Sequence, residues 1–426
     1  MNITWKRLVP VRYQADVVVV GGGMAGVSAA CAAAREGASV ILIEYFNVTG
    51  GNATVGGVGN WSGETRGQGG IFDEIIAMQE AWKAIAPYPG SYRHFAPSSN
   101  RTFNHEVLGI ILQELLLRHG VKLLLNTSFV DARLRGSRIT EILVHGGSGV
   151  EAVQGRVFVD CTGEALVARA AGFATLKGRD EDGMTLPASL MFFVREHFEG
   201  EQACAQLPEG WFNPVSRKED LPMTSLWPNG PGEVALKLKI PGFDSADTRD
   251  HTRLEVRARQ RMFEVLDYFQ RVEKRPWVFD HASPRVGLRE GRRIVGDYIL
   301  RLDDLRAGRP FDDGVARGVF YLDGMTPDSE KRTYILPQEA QKVPPYHIPL
   351  RSLIARDGQN LLMAGRCISS DQLSLSSARV MPTCSMMGQA AGTLAAISAR
   401  SKRPPRQVAP ARVITRLKEN GADLSL

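Results

Sequence analysis

Residues 16–45, DVVVVGGGMAGVSAACAAAREGASVILIEY, restrict the possible folds more than any other stretch of the chain. The four valines at 17–20 are a β-branched run with no polar alternation, the pattern of a parallel strand covered on both faces. Gly21, Gly23 and Gly26 follow in GxGxxG spacing. Val27, Ala30, Cys31 and Ala34 then recur at helical intervals with small side chains, which predicts a helix lying close on the sheet. Arg35, Glu36 and Gly37 end that helix, and SVILIE at 39–44 predicts a second buried strand finishing at Glu44. Such a unit turns a helix amino terminus, with its unpaired N–H groups and partial positive charge, toward a glycine-walled space for a pyrophosphate. Glu44 comes after seventeen residues beyond Gly26, at the end of the second strand, where a carboxylate accepts the hydroxyls of an adenosine ribose. The reading is dinucleotide binding, and NAD and FAD share it.

Three later segments bear on which dinucleotide. FNVTGGNATVGGVGNWSGE, 46–64, is a second glycine-rich loop that lets backbone lie against a long flat ligand. GRVFVDCTGEALVARAAG, 155–172, is a buried strand that breaks at Thr162 and Gly163 before a helix. Residues 360–400 give a strand, a turn at Gly365 and a small-residue helix with Pro382 in its first turn. Over essentially its whole length the sequence resembles the glutathione-reductase-type FAD flavoproteins, and within them the bacterial FAD-dependent oxidoreductases. The resemblance rests on GGGMAG with Glu44, GGNAT at 50–54, DCTGEALVARAAG at 160–172, LREGRRIVGDY at 288–298, PYHIPLRSLI at 345–354 and MMGQAAGTLAA at 386–396.

The resemblance implies FAD as cofactor and places its contacts. Gly21, Gly23, Met24, Ala25 and Gly26 would hold the pyrophosphate and Glu44 the ribose, while Gly51, Asn52 and Ala53 line the approach to the flavin. Val130 would give a backbone contact to adenine. Thr162 and Gly163 would pack on the adenosine half, where the family often has alanine in place of Cys161. Gly365 and Arg366 would approach the ribityl chain, and the helix starting near Pro382 would aim its amino end at the isoalloxazine, favouring the reduced anion.

These segments lie at both ends of the chain. The expected class is therefore α/β: a discontinuous Rossmann-like FAD-binding domain at 14–175 and 345–426, with an inserted α+β substrate or cap domain at 176–344. Within the first part, 104–119 predicts an amphipathic helix, VKLLLN a strand, and 127–160 hairpins turning at Arg135 and Gly136 and again at 146–149. In the insertion, SLMFFVRE predicts a strand and 252–273 a long amphipathic helix.

The net charge of +6 mildly favours anionic ligands, but the basic residues are scattered, with no Lys/Arg block interleaved with aromatics, which argues against nucleic acid. Five cysteines, Cys31, Cys161, Cys204, Cys367 and Cys384, have neither CxxC nor zinc spacing and read as reduced thiols. His105, His119 and His145 also lack metal-ligand spacing, so no metal is expected. The amino terminus lacks a signal-peptide core, which predicts a cytoplasmic protein, and the glycines inside the charge-free stretch 17–34 argue against a membrane span.

No cysteine pair follows Glu44, against a disulfide reductase, and no second complete GxGxxG unit is present, against a dedicated NAD(P)H domain. Electrons then come from a small-molecule substrate, or from an unidentified donor or partner, with the acceptor equally unspecified. His347, between Pro345 and Pro349, is the expected proton carrier. Arg289 or Arg293, in the densest charge cluster of the insertion, is expected to anchor an anionic or hydroxyl-rich substrate; Arg379 is a weaker candidate. Trp61 and Tyr346 are candidate pocket walls. The expected function is an FAD-dependent oxidoreductase, a dehydrogenase or oxidase moving hydride between a CH–OH, CH–NH or CH–CH substrate and flavin N5. The alternatives are a flavin-dependent reductase of an activated double bond, and a non-redox or RNA-modifying dinucleotide-binding protein.

Overall fold

The valine run sits in the middle of a sheet. A computed structural model describes residues 6–90, 100–200, 210 and 214–426; Cys204 lies outside the described residues. Strand β1 (Val11–Val20) leads into helix α1 (Met24–Arg35) and strand β2 (Val40–Ile43), which pairs in parallel with β1, Val17 opposite Val40. Helix α2 (His105–Arg118) is capped by the Asn104 side chain accepting from Val107 N–H, and leads into strand β3 (Lys122–Leu124) parallel to β2. Strands β4 (Ser128–Arg135), β5 (Arg138–Gly146) and β6 (Gly149–Asp160) form the two expected hairpins. The far half of β6 runs parallel to β1, giving the order β3-β2-β1-β6-β5-β4.

A second, antiparallel sheet is built from β7 (Ala188–Glu196), β8 (Thr224–Gly230), β9 (Glu233–Ile240) and β10 (Trp277–Ala282), in the order β8-β9-β7-β10. One of its faces, carrying Leu190, Phe192, Leu236 and Leu238, packs on Leu254, Ala258, Met262 and Val265 of helix α3 (Thr248–Asp267). This helix starts four residues before the expected 252 because the Asp247 carboxylate caps it, accepting from Arg249 and Asp250 N–H. The chain then returns to the first sheet. Strand β11 (Leu361–Met363) pairs in parallel with the end of β6, Met363 opposite Asp160, and helix α4 (Met381–Ser401) lies against α1.

The α1–α4 contact brings two backbones together. A Cβ added at Gly388 would stand 2.1 Å from the Ala25 carbonyl oxygen, and one at Gly392 2.1 Å from that of Ala29. Small residues one turn apart on both helices allow this approach, and Ser28 Oγ and Ser385 Oγ hydrogen-bond across it at 2.7 Å. Among the described residues no helix is long and apolar enough to cross a membrane.

Because a methyl group at Gly392 would force the helices apart, Gly392→Ala is expected to lower unfolding stability by about 1–3 kcal/mol, the range for overpacked interiors. Urea denaturation followed by tryptophan fluorescence measures this; an unchanged midpoint would show that α4 does not lie on α1 at this distance.

Candidate cofactor and substrate site

The turn after β1 is shaped by what its glycines exclude. Gly21 has φ +98°, and a Cβ there would lie 2.6 Å from the Cys161 carbonyl oxygen; a Cβ on Gly26 would lie 1.8 Å from the Gly21 oxygen. Gly23 differs, since its Cβ position has no protein atom within 4 Å. It also precedes α1 as an N-cap without a side-chain hydrogen bond, so the first-turn amides have no side-chain cap. Gly50 closes the other side: its N–H donates to the Gly22 oxygen at 2.7 Å, and Gly23 and Gly50 form a parallel bridge. Gly51 follows against Gly23 Cα, and Ala53 is fully buried below. An open, amide-lined space at a helix amino end fits a pyrophosphate.

Glu44 stands beside this space. Its Oε2 accepts from Gly22 N–H at 2.5 Å and its Oε1 from Phe46 N–H at 2.9 Å, which orients the carboxylate while leaving lone pairs for hydroxyl donors. Burial pushes its pKa up, and the two amides and Arg285 pull it back. Thr162 is held by Asp160, with N–H and Oγ1 both donating to Oδ1 at 3.1 and 2.7 Å. Gly163, φ +73°, leaves room for Arg366, whose Nη2 would be 2.3 Å from a Cβ there. Arg366 Nη1 donates to the Leu288 oxygen at 2.7 Å, and Asn52 Nδ2 donates to the same oxygen at 2.9 Å, so both tie the cradle to the returning insertion. Gly365 approaches the Ala25 methyl, and Pro382 is buried in the first turn of α4.

Sequence reasoning missed Arg285. Its guanidinium sits 5.4 Å from the Phe46 ring and feels Glu44, Glu164 and Glu255, together with the like charge of Arg366; burial, the largest effect, lowers its pKa. Among the described residues it has no carboxylate within 4.0 Å. Glu164, one residue past Gly163, is raised by burial and has a sealed Oε1 with no hydrogen-bond donor. Arg285 lies three residues before the LREGRRIVGDY segment but outside it, and nothing in its local sequence points to Glu44 or Glu164, which only the fold brings near.

The second sheet turns its other face to the loop after Gly51. Gly57 would meet Met191 and Ser283 with a Cβ at 3.0 Å each, and Val58 packs on Met191, Phe193 and Ala235. The Phe193 ring stacks with His281 at 4.3 Å and with His105 at 5.2 Å, and the two imidazoles are 5.8 Å from each other, so the three rings form one cluster. Burial lowers the pKa of His105, followed by opposing effects of Glu106 and His281. Lys237 lies opposite Met191 and Lys239 opposite Ser189 in the ladder, so both belong to this face. Arg289 reaches it as well, with Nη1 donating to Ser189 Oγ at 2.5 Å and the Pro187 oxygen at 2.9 Å.

Other expected residues are placed elsewhere. Arg293 is 2% exposed, ion-paired with Glu290 and donating to the Gly178 oxygen at 2.7 Å, so it anchors the chain and not a substrate. His347 accepts from Phe311 N–H on Nδ1 at 3.1 Å and faces the Leu424 oxygen with Nε2 at 2.8 Å; both ring nitrogens are occupied by backbone, leaving none to carry a substrate proton. Trp61 donates to Gln79 and Tyr346 bonds Ser377, both fully buried as packing. Val130 is 47% exposed at a register slip between Phe129 and Asp131, and no described contact brings it to the cradle, although Thr127 N–H donates to the Glu44 oxygen. Cys161, Cys367 and Cys384 are free and buried, each raised in pKa by burial. Among the described residues no cluster of His, Cys, Asp or Glu is arranged to hold a metal.

A family model described as FAD dependent oxidoreductase matches residues 16–417. A thiamine thiazole synthase from Aeropyrum pernix is 32% identical over 133 residues, 31% of this chain and 44% of that protein, so the match spans less than half of the relative's length. Among solved structures, a geranylgeranyl bacteriochlorophyll reductase-like protein from Thermoplasma acidophilum superposes with a TM-score of 0.50 at 11% identity, over 97% of this chain and 94% of the other. The flavin-dependent brominase Bmp2 gives 0.51 at 14% identity, over 95% and 83%. At these identities the likeness is one of fold.

Two glycines in the same turn separate folding from binding. Gly23→Ala, with open space at its Cβ and a φ of −66°, is expected to change stability by no more than about 1 kcal/mol, yet to weaken dinucleotide retention at least about tenfold by intruding on the amides, a loss of roughly 1.4 kcal/mol. Gly26→Ala is expected to destabilise the fold itself by about 1–3 kcal/mol. Thermal melts alongside equilibrium dialysis distinguish the two; equal behaviour of both variants would remove the cradle assignment.

Proposed function

The chain belongs to the FAD dependent oxidoreductase family, and from that premise we propose that it exchanges a hydride between a small organic substrate and the flavin, in the manner of a dehydrogenase or oxidase. FAD is the cofactor, and when bound it supplies a flavin N5 that takes or gives hydride, chemistry no side chain offers. The observation carrying the reading is the convergence of the open turn at Gly23, the acid Glu44 and the amino end of α4 through the α1–α4 contact. Gly21, Gly23, Met24, Ala25, Gly26 and Gly51 would enclose the diphosphate and Glu44 the ribose, with Arg285 as an added counter-charge. The narrower glutathione-reductase-type arrangement is our reading of the same motifs.

The chain's own residues supply the rest. α4 begins without a side-chain cap or an acid in its first turn, and Arg379 precedes it, which places positive potential at one end of the cradle. A helix terminus of this kind stabilises nearby negative charge by roughly 0.3–1 kcal/mol, more when partly buried. Met191, Phe193 and Val58 give an apolar wall that keeps water from the reacting atoms. The inserted residues 176–344 act in this reading as the cap bearing that wall, over a body formed by 14–175 and 345–426.

Anaerobic mixing of the FAD-loaded protein with small hydroxy, amino and saturated organic acids and their neutral analogues tests the direction. Bleaching of the oxidised flavin band by one of these is expected; reoxidation of prereduced flavin by an activated alkene, without any bleaching, would favour the double-bond reductase instead. His347→Gln is expected to leave the rate of bleaching unchanged, because its ring bonds only backbone, and a large fall in that rate would restore His347 as the proton carrier.

A further inference from the structure

We propose that the substrate of this site is a small carboxylate anion, gripped by Arg289 and Lys237 on the sheet face that covers the cofactor. The inference rests on the hydride-transfer reading above and adds the chemical class of the molecule oxidised or reduced.

Arg289 is 8% exposed, and its charge has no carboxylate within 4.0 Å among the described residues. Buried charges are ordinarily paired, because an unpaired one loses its hydration with nothing in return. Nη1 is fixed by Ser189 Oγ and the Pro187 oxygen, which sets the plane of the guanidinium. Nε and Nη2 have no acceptor among the described residues, yet they are absent from the set of sealed, unpartnered interior atoms, so they open onto accessible space. The edge they form, two parallel N–H donors, matches the two oxygens of a carboxylate.

Lys237 projects from the same face of β9, with Met191 and Ser225 as its cross-strand neighbours and the Trp227 ring 6.0 Å from Nζ. Its ammonium also lacks an ion pair or hydrogen-bond acceptor among the described residues. Burial, aided by Arg289 and Arg379 and opposed by Asp323, brings its pKa down to about 8. Arg289 is itself brought to about 10 by burial and by Arg379, with Asp323, Tyr334 and Tyr321 opposing. Asp323, the carboxylate that acts on both, is engaged by Arg379 at 2.8 Å. Lys239 beside them is fully buried and satisfied only by neutral oxygens, Thr326 Oγ1 at 2.8 Å and the Arg332 carbonyl at 2.6 Å. Positive charge is thus gathered in excess on this face, with Arg289 and Lys237 left without a counter-ion among the described residues. A carboxylate bonded to the reacting carbon would satisfy that excess and fix which C–H is presented.

The test uses the FAD-loaded protein, titrated with acetate, malonate and 2-hydroxyacids, with the corresponding amides, and with inorganic phosphate, reading the visible flavin spectrum and the melting temperature. Saturable, carboxylate-dependent changes in both are expected, with the amides silent. Arg289→Met and Lys237→Met are each expected to weaken the carboxylate response at least about tenfold, the scale of a charged hydrogen bond, while Lys237→Arg retains it. Ligand-free Lys237→Met is expected to melt no lower than the parent, since it removes an unpaired cation; a marked loss would mean the lysine is structural and would overturn its assignment. The proposal also falls if phosphate binds as well as carboxylate through the same two residues, if carboxylates bind equally to both Met variants, or if no carboxylate changes either signal. Failure to take up FAD would instead strike the flavin reading and would show in the absorbance alone, with the melting shift still reporting on the anion site.

Discussion

The architecture depends on two helices from opposite ends of the sequence touching backbone to backbone. α1 carries the turn that would hold a diphosphate, and α4 carries the amino terminus that gives the cradle its second positive end. Their relative position is set by Gly388 and Gly392 against the carbonyls of Ala25 and Ala29, a contact with no side chain between the chains. Packing of this kind is stiff, because neither helix can rotate or slide without driving a carbonyl into a methylene. The gap at Gly23 is therefore held on one side by the core, and on the other by the Gly50 bridge. The parallel pairing of β11 with β6 holds the same two ends together from the sheet side.

Much of the first sheet was legible because its signals are local. The valine run, the glycine spacing and the terminal acid each report on a single βαβ unit, and the two hairpins after β3 fall at the turns their glycines suggest. Glu44 was legible for the same reason, and its bond from Gly22 N–H links two parts of one motif. His347 and Arg293 misled because proline flanks and charge density say nothing about partners. Phe311, Leu424 and Glu290 satisfy them, and two of those three are remote in sequence. Lys237 and Lys239 show the converse failure. EVALKLKI did not stand out in the sequence, because its alternation at 236–240 is that of an ordinary half-exposed strand, and only the fold places Lys237 opposite Met191 and buries Lys239. Val130 carries a motif position without a described contact to the cradle.

The site joins two kinds of electrostatic environment. On the cradle side, helix-end amides and one oriented carboxylate face the open turn, with Arg285 nearby and Arg366 held by the Leu288 carbonyl and paired with Glu164 at 3.5 Å. On the sheet side, cations outnumber their partners beside the apolar group of Met191, Phe193 and Val58. A flat ligand between them would experience a potential that grows more positive from one face to the other. The lysines stand on β9 and Arg289 on the segment that follows β10, while the apolar residues beside them come from β7 and from the loop after Gly51.

The cradle's split origin also orders its assembly during synthesis. β1 and its turn are made well before their parallel neighbour β6, which follows more than a hundred residues later, and α4, beginning at Met381, comes later still. Until β6 is made the valine strand has an unsatisfied edge, and until α4 is made α1 has an uncovered stripe of small residues, surfaces that invite wrong pairing in a slow-closing topology. Closure of the cradle around a nucleotide consequently waits for α4, the last of the cradle's described parts to be made.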